Sequence, residues 1–587
     1  MRRLLMLLLA LGAMAGLLAQ PAPPRNPETT LKLSKSLVAV KVTDVERQIT
    51  AFGPLLTMLD ELIAQAPETP GKPKTLATAG LQEIVGHLKE VPGLNAKGDI
   101  WFVFMMPAEG AGLMMDEEDG VADEAQMPEP AAPEMPGYMI LPLADPQLFN
   151  GFLAMQAEEK DPMKGVVLGN LGLVALNNAP LDYKAVALDL PLRTTRDVAI
   201  SVQISEFLID ALAGAMPPMA MMFMGPVIQV FEESQRNMAR TEAGLAMIGE
   251  DLSVEGFVIP VPNSPLAKST ANPSSAALAL ELAGYLPDDV VYANASGPML
   301  QGSPGLGVVL IKTAGGFATM FLPPDKAKGF SSALDKVMTQ CSQGRALGIA
   351  PSPENSALFG PSLVAVYRVP DPQAGKNAVR GFIRESLALM KMLDDDKGGP
   401  KYVFTPDAER TADQSVDLLR VTRPAPAPAA DGKPAAPAKP LVTEARFSYI
   451  GQRMLVTLGG GCKEQMTALI DRVKNKKAVY TAGARFKGLE NVITPTARGF
   501  ETYALLDMIN MGIGFMPEGE AKAGIMKKMA AYGKHATVIS TYQEVKDGAL
   551  HGELRIPGEQ MKFLFTLLND LAKDAANKPK PEEGKKE

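Results

Sequence analysis

Short apolar runs bounded by polar or turn-forming residues recur along the chain and predict β-strands. Trp101–Met105 and Gly137–Leu141 flank one long polar stretch, and Val416–Val421 and Ala445–Ile450 flank a second. The last run is followed after a Gly-Gln pair by Arg453–Leu458. Because adjacent strand-like runs joined by turn residues form hairpins, we expect three hairpins, two of them with long loops.

Longer segments with helical spacing lie between the strands. They are Val45–Ile63, Lys328–Val337, Asn377–Leu393 and Lys463–Val473. Their apolar residues recur every three or four positions, which is typical of a helix that buries one side. Together with the hairpins they predict an α+β fold, in which antiparallel sheets carry helices packed on one face.

Several segments of the first half resemble segments of the second half, which predicts an internal repeat. Asp145–Gln147 and Asp371–Gln373 have the same sequence, Asp-Pro-Gln, and suit a helix start because Asp caps and Pro fits the first turn. Three further pairs are Ser36–Val40 with Ser362–Val366, Gly256–Pro260 with Gly552–Pro557, and Asp197–Leu212 with Phe500–Met511. The first of these pairs is identical in sequence. Asp288–Asn294 begins in the same way as the segments of the third pair.

The similar order of these segments indicates a degenerate tandem duplication with two similar domains. We place repeat 1 at 31–275 and repeat 2 at 276–572. Two low-complexity loops interrupt the repeats, and three terminal segments lie outside them. The loops are the acidic stretch 107–136 and the Pro/Ala-rich stretch 424–440, and the terminal segments are a signal peptide at 1–19, a flexible leader at 20–30 and a disordered tail at 573–587.

The first nineteen residues have the pattern of a secretion signal. Arg2 and Arg3 precede the apolar run Leu4–Leu11, and small residues at Ala13–Ala15 and Leu17–Ala19 offer cleavage sites. The apolar run is short for a membrane span, which favours a cleaved signal over an uncleaved anchor. The sequence therefore predicts a periplasmic or secreted protein.

The net charge of −8 arises largely from one segment. The stretch 107–136 holds nine carboxylates and no basic residue, so the rest of the chain is nearly neutral. Basic clusters typical of nucleic-acid binding are absent from the sequence, and we expect no nucleic-acid partner. Asp116–Asp119 lacks the alternating spacing of an EF-hand calcium loop.

The segment 211–231 contains no charged residue and is long enough to span a membrane. Adjacent prolines at Pro217 and Pro218 interrupt it, and the matching stretch 511–529 is charged, so we expect two helices and no transmembrane span. The simplest interpretation of the Met side chains here is that they fill a core, and the alternatives are an adaptable apolar binding face and, more remotely, Cu(I) binding. The candidate residues are Met216, Met219, Met221, Met222 and Met224.

Signals for catalysis are weak. His87, His535 and His551 are the only histidines, and we interpret His87 and His551 as ordinary surface or interface residues. None of the standard nucleophile, zinc-protease or phosphate-loop motifs occurs, and the sequence indicates no cofactor or metal. Cys341 and Cys462 are the only cysteines and could form one disulfide.

The hairpin Gly451–Gly459, the helix from Lys463 and the segment Tyr503–Asp507 resemble a family of uncharacterised exported bacterial proteins with a domain of unknown function. The resemblance implies an exported, non-enzymatic role and identifies no functional residues. We therefore predict a non-catalytic envelope protein that binds an apolar ligand or a protein partner. The alternatives are a structural or assembly component and a hydrolase that uses a pair of carboxylates.

Overall fold

A computed structural model describes most of the chain between the predicted leader and the predicted tail. The described residues are 30–65, 82, 86, 88–105, 136–157, 163–176, 179–203, 236–271, 277–300, 323–351, 361–393, 399–423, 441–483, 486, 488–489, 492–494, 496–514, 516, 519–532 and 537–576. The fold is α+β with antiparallel sheets. The chain divides into two compact units: the described residues up to 261 and 561–576 belong to unit 1, and 262–560 belong to unit 2.

Unit 1 contains an antiparallel sheet of eight strands and a separate parallel pair, β1 with β7. The neighbours in the sheet follow the order β5-β6-β4-β3-β2-β8-β9-β10. The strands are β1 (Thr30–Lys32), β2 (Ser36–Thr43), β3 (Asp99–Met105), β4 (Gly137–Pro142), β5 (Gly165–Leu168), β6 (Leu171–Ala175), β7 (Ala185–Ala187), β8 (Val198–Val202), β9 (Met238–Ile248) and β10 (Asp251–Pro260).

Apolar residues cover both faces of this sheet because its central strands are apolar at consecutive positions. On one face, Trp101 and Val103 pack under the β1–β7 pair and the segment 179–192. On the other face, Ile100 and Phe102 pack against helices. The helices of this unit are α1 (Val45–Ala51), α2 (Gly53–Gln65) and α3 (Pro146–Gln156), and a 3-10 turn spans Leu33–Lys35.

Unit 2 contains an antiparallel sheet of ten strands. Neighbours follow the order β14-β15-β16-β17-β13-β12-β11-β18-β19-β20. The strands are β11 (Tyr292–Ser296), β12 (Arg345–Ala350), β13 (Ser362–Arg368), β14 (Lys401–Thr411), β15 (Gln414–Arg423), β16 (Leu441–Ile450), β17 (Arg453–Leu458), β18 (Gly499–Tyr503), β19 (Ile539–Lys546) and β20 (Ala549–Ile556).

Helices pack on both faces of the unit 2 sheet, so the prediction of helices on one face is wrong for this unit. The helices described in this unit are α4 (Pro265–Ala271), α5 (Ala277–Gly284), α6 (Pro324–Cys341), α7 (Pro372–Leu393), α8 (Cys462–Lys474), α9 (Leu505–Gly514), α10 (Glu520–Ala531) and the start of α11 (Gly558–Ala576), of which 561–576 belong to unit 1. Leu455 packs with α5 and α8, whereas its neighbours Met454 and Val456 pack with α6 and α7. Consecutive apolar residues in β13 and β17 require cover on both sides of the sheet.

The three predicted hairpins are confirmed. β3 pairs with β4, β15 with β16, and β16 with β17, all antiparallel. The four predicted helical segments are also helical, as α1 with α2, α6, α7 and α8. The predicted signal peptide and leader, nearly all of 107–136, the whole of 424–440 and the end of the tail beyond Ala576 lie outside the described residues.

Both Asp-Pro-Gln segments start a helix, as predicted. Asp145 Oδ1 accepts the backbone N–H groups of Gln147 at 2.9 Å and Leu148 at 3.1 Å at the start of α3. Asp371 Oδ1 accepts from Gln373 at 2.9 Å and Ala374 at 3.1 Å at the start of α7. The side chain thus satisfies two N–H groups that the first helical turn leaves without partners.

Candidate functional site

A cluster of polar and aromatic side chains lies on two central strands of unit 2. β11 pairs with β18 so that Tyr292 stands opposite Tyr503 and Asn294 opposite Glu501. Opposed residues in an antiparallel pair project to the same face, so all four side chains share one face. We call these four residues the tyrosine–glutamate cluster. All of them are half-buried.

Hydrogen bonds and ring contacts fix the geometry of the tyrosine–glutamate cluster. Asn294 Nδ2 donates to Glu501 Oε1 at 2.5 Å, and the Tyr503 hydroxyl donates to Glu501 Oε2. The rings of Tyr292 and Tyr503 lie 5.2 Å apart between centroids, tilted by 47°. Burial raises the pKa of both tyrosines, and for Tyr503 the hydrogen bond to Glu501 adds to the rise. Both phenols are therefore neutral at physiological pH.

No Lys, Arg or His side chain of the described residues forms an ion pair with the Glu501 carboxylate. Within the described part of the chain its bonds come from an amide and a phenol, which are both neutral donors. The positive charge of Arg345 acts to lower the pKa of Tyr292, against the effect of burial. Arg345 forms no ion pair with Glu501 in the described part of the chain. A half-buried carboxylate with neutral partners keeps its negative charge available to a third group.

The opposite side of the same strands packs into the core of unit 2. Ala293, Ala295 and Phe500 are buried in the main core of unit 2 beneath α5 and α8. Their small or apolar side chains hold β11 and β18 against the helices, so that the cluster stands on a packed support. The hydroxyl of Thr502 on this side is bound at 2.6 Å by that of Tyr480.

Sequence reasoning missed this cluster. Tyr292–Asn294 was noted only as the opening of a repeated strand, and Tyr503 only as part of a family-like segment. The available signal was the alternation in β11 and β18, where small or apolar residues alternate with Tyr, Asn and Glu. That pattern indicates one polar face, but the two strands lie about two hundred residues apart, so their pairing was not visible.

The structure describes some of the candidate residues from the sequence analysis but not others. Met216, Met219, Met221, Met222 and Met224 lie outside the described residues, as do His87, His535 and Asp116–Asp119. Cys341 and Cys462 are free thiols, not a disulfide. Cys341 packs with the α6–α7 cluster, and its burial raises its pKa to about 11.

Cys462 is part of a buried ionic network at the start of α8. Arg446 Nη1 contacts its Sγ at 2.6 Å and Glu444 Oε2 at 2.7 Å, and Arg446 Nη2 reaches Glu409 Oε1 at 3.3 Å. Burial raises the pKa of the Cys462 thiol, although the charge of Arg446 acts in the opposite direction. The thiol is thus protonated and buried, which suits a structural role better than a nucleophilic one.

His551 is buried, so its assignment to the surface is wrong. It stands opposite Glu544 in the β19–β20 hairpin, with its Nδ1 3.0 Å from Glu544 Oε1. Thr494 and Thr496 donate to Glu544 Oε2 at 2.9 and 2.6 Å. Burial alone would raise the pKa of Glu544, but these bonds and His551 lower it. The network fixes the segment before β18 onto the hairpin.

Two carboxylates of unit 1 hold a segment in a similar way. Glu242 accepts the Arg193 backbone N–H at 2.6 Å, and Glu255 accepts the Thr194 hydroxyl at 2.9 Å. Both side chains are buried, and Gly244 between them lets the segment approach, since a Cβ there would lie 2.1 Å from Thr194 Oγ1. The arrangement fixes the segment before β8 by using these carboxylates as hydrogen-bond acceptors.

Within the residues that the structure describes, no group of His, Cys, Asp or Glu side chains could hold a metal ion. Nor does any helix in those residues have the length and apolar character needed to cross a membrane. Comparison with known proteins gives no match to this chain, whether with family models, curated proteins or solved structures.

Proposed function

We propose that this chain is an exported, non-catalytic binding protein whose ligand site is the tyrosine–glutamate cluster. Export is inferred from the N-terminal pattern Arg2–Leu11. The observation that carries the binding role is an aromatic pair beside a carboxylate on a rigid sheet. Ligand sites combine apolar and aromatic surface with a few well-placed polar groups, and this cluster has that composition.

We further propose that the two units arose by tandem duplication. The pairings among β2, β3, β4, β5, β6, β8, β9 and β10 correspond one for one to those among β11, β12, β13, β16, β17, β18, β19 and β20. Unit 2 then carries β14 and β15 as an additional hairpin beyond β16. The matching helix starts at Asp145 and Asp371 support the same correspondence.

A non-catalytic role agrees with how the buried titratable groups are used. Glu242, Glu255 and Glu544 each accept hydrogen bonds from their own chain and hold a segment in place. Cys462 is a protonated, buried thiol. A catalytic nucleophile or base needs access to a substrate, and these groups are engaged elsewhere.

Native mass spectrometry of mature protein purified from its own envelope fraction tests the binding role. We expect the wild-type protein to carry an additional bound mass. The double variant Asn294→Val with Glu501→Ile should lose it, whereas Leu148→Ala, which changes an exposed side chain of unit 1, should retain it. A wild-type protein without bound mass, or a double variant that keeps it, would contradict the proposal.

A further inference from the structure

The charge at the tyrosine–glutamate cluster indicates the class of ligand. We propose, building on the binding function above, that the cluster binds a small organic cation through an ammonium group. Glu501 contributes a negative charge that only the neutral donors Asn294 and Tyr503 contact. No basic side chain of the described residues forms an ion pair with the Glu501 carboxylate, so a ligand can supply a positive charge there.

The paired tyrosine rings strengthen this inference. Aromatic faces carry negative potential and attract ammonium groups within about 6 Å of the ring centroid. Tyr292 and Tyr503 stand side by side at 5.2 Å, and Glu501 is bonded to the hydroxyl of the second ring. Their raised pKa values keep both phenols neutral, so the carboxylate is the only fixed charge within the cluster. A cation near this carboxylate would also meet the aromatic surface.

An anionic or purely apolar ligand fits these groups less well. An anion would be repelled by Glu501, and an apolar ligand would bury the carboxylate without compensation, which is costly.

The test uses the full mature chain and two probes that differ only in charge. Choline carries a quaternary ammonium group, and 3,3-dimethylbutan-1-ol is its neutral isostere. Saturation-transfer NMR of the probe methyl groups, followed by titration, measures both affinities. We expect choline to bind at least about tenfold more tightly than the isostere, since one charged contact contributes on the order of that factor.

Variants assign the binding to the cluster. Glu501→Gln keeps one acceptor oxygen, for the Asn294 amide, and its new Nε2 can donate to the Tyr503 hydroxyl oxygen. We expect this variant to fold, yet to bind choline about tenfold more weakly. Glu464→Gln changes an exposed carboxylate on α8 and should leave the affinity unchanged. Circular dichroism confirms that each variant is folded.

The outcomes separate this inference from the binding function. Equal affinity for choline and the isostere, or wild-type affinity in Glu501→Gln, would overturn the cation inference. In both cases a mass bound to the envelope-purified protein and lost from the Asn294→Val, Glu501→Ile variant would leave the binding function in place. Absence of probe binding together with absence of any bound mass would overturn both.

Discussion

The central strand pairs of the two units have the same register and opposite chemistry. In unit 1, β2 and β8 place Val38 opposite Val202 and Val40 opposite Ile200. In unit 2, the corresponding positions of β11 and β18 hold Tyr292 opposite Tyr503 and Asn294 opposite Glu501. One backbone arrangement therefore presents an apolar face in one unit and a polar, aromatic face in the other.

Packing explains the difference. Val40 lies against the helix-covered cluster of unit 1, where a polar group would be buried without a partner. In unit 2, α6 and α7 instead pack over β13 and β17 and the strands beyond β17, so they do not require apolar residues on β11 and β18. The comparison shows that the polar residues of this face lie on strands other than those over which α6 and α7 pack.

The largest expected effect concerns the β14–β15 hairpin of unit 2. Asp417 is buried and accepts two bonds from Arg380, at 2.8 and 2.5 Å, and one from the Asp407 backbone N–H at 2.8 Å. Asp417→Ala removes the buried partner of Arg380, which keeps only the more exposed Asp407 at 2.8 Å, and leaves the Asp407 N–H without its acceptor. We therefore expect a loss of about 3 kcal/mol in unfolding free energy. Urea unfolding monitored by hydrogen exchange in β14 and β15 measures it.

The exposed Glu464→Ala variant on α8 is the control for Asp417→Ala and should unfold like the wild-type protein. A loss below about 1 kcal/mol in Asp417→Ala would show that the hairpin is held by strand pairing and apolar packing alone, with no need of the buried ion pair.

Exchange of residues between the two strand pairs tests the comparison directly. Ile200→Glu places the charge of unit 2 in the apolar environment of unit 1, and we expect a loss of about 2 kcal/mol or more. The reciprocal double variant Asn294→Val with Glu501→Ile removes both hydrogen-bond partners together and should change stability by less than about 1 kcal/mol.

The single tryptophan, Trp101, lies in unit 1 and reports its unfolding by fluorescence, while hydrogen exchange of β11 and β18 peptides reports on unit 2. An equal loss of unfolding free energy in Ile200→Glu and in the reciprocal variant would mean that the two faces have the same environment. That result would contradict the difference between the two units.

The smallest effect concerns a feature that the units share. Asp145→Ala and Asp371→Ala each remove a helix cap with the same bond lengths, and each should cost about 1 kcal/mol. The Asn variants retain an acceptor and should restore most of the loss. Unequal costs, measured by Trp101 fluorescence for the first and hydrogen exchange of α7 for the second, would indicate that the helices depend differently on their caps.

Local features of the fold were predictable from the sequence. Similarity between two segments, however, did not always predict that they occupy matching positions in the two sheets. The Asp-Pro-Gln repeats mark matching helix starts, because capping depends on a few adjacent residues. The identical segments Ser36–Val40 and Ser362–Val366 do not match in position: the first lies in β2, beside β3 and β8, and the second in β13, beside β12 and β17. A short apolar strand fits any central position of a sheet, so identity over five residues does not specify its neighbours.

The sequence by itself determined the hairpins, the helices and their caps, because each depends on residues close together in the chain. Only the tertiary structure decided that helices cover both faces of the unit 2 sheet and that His551 is buried beside Glu544. It also brought Asn294 and Glu501 together, since the pairing of β11 with β18 is long-range. Such contacts depend on which strands become neighbours and which helices cover them. The alternation of polar and apolar residues within one strand indicates its two faces but does not specify its neighbours.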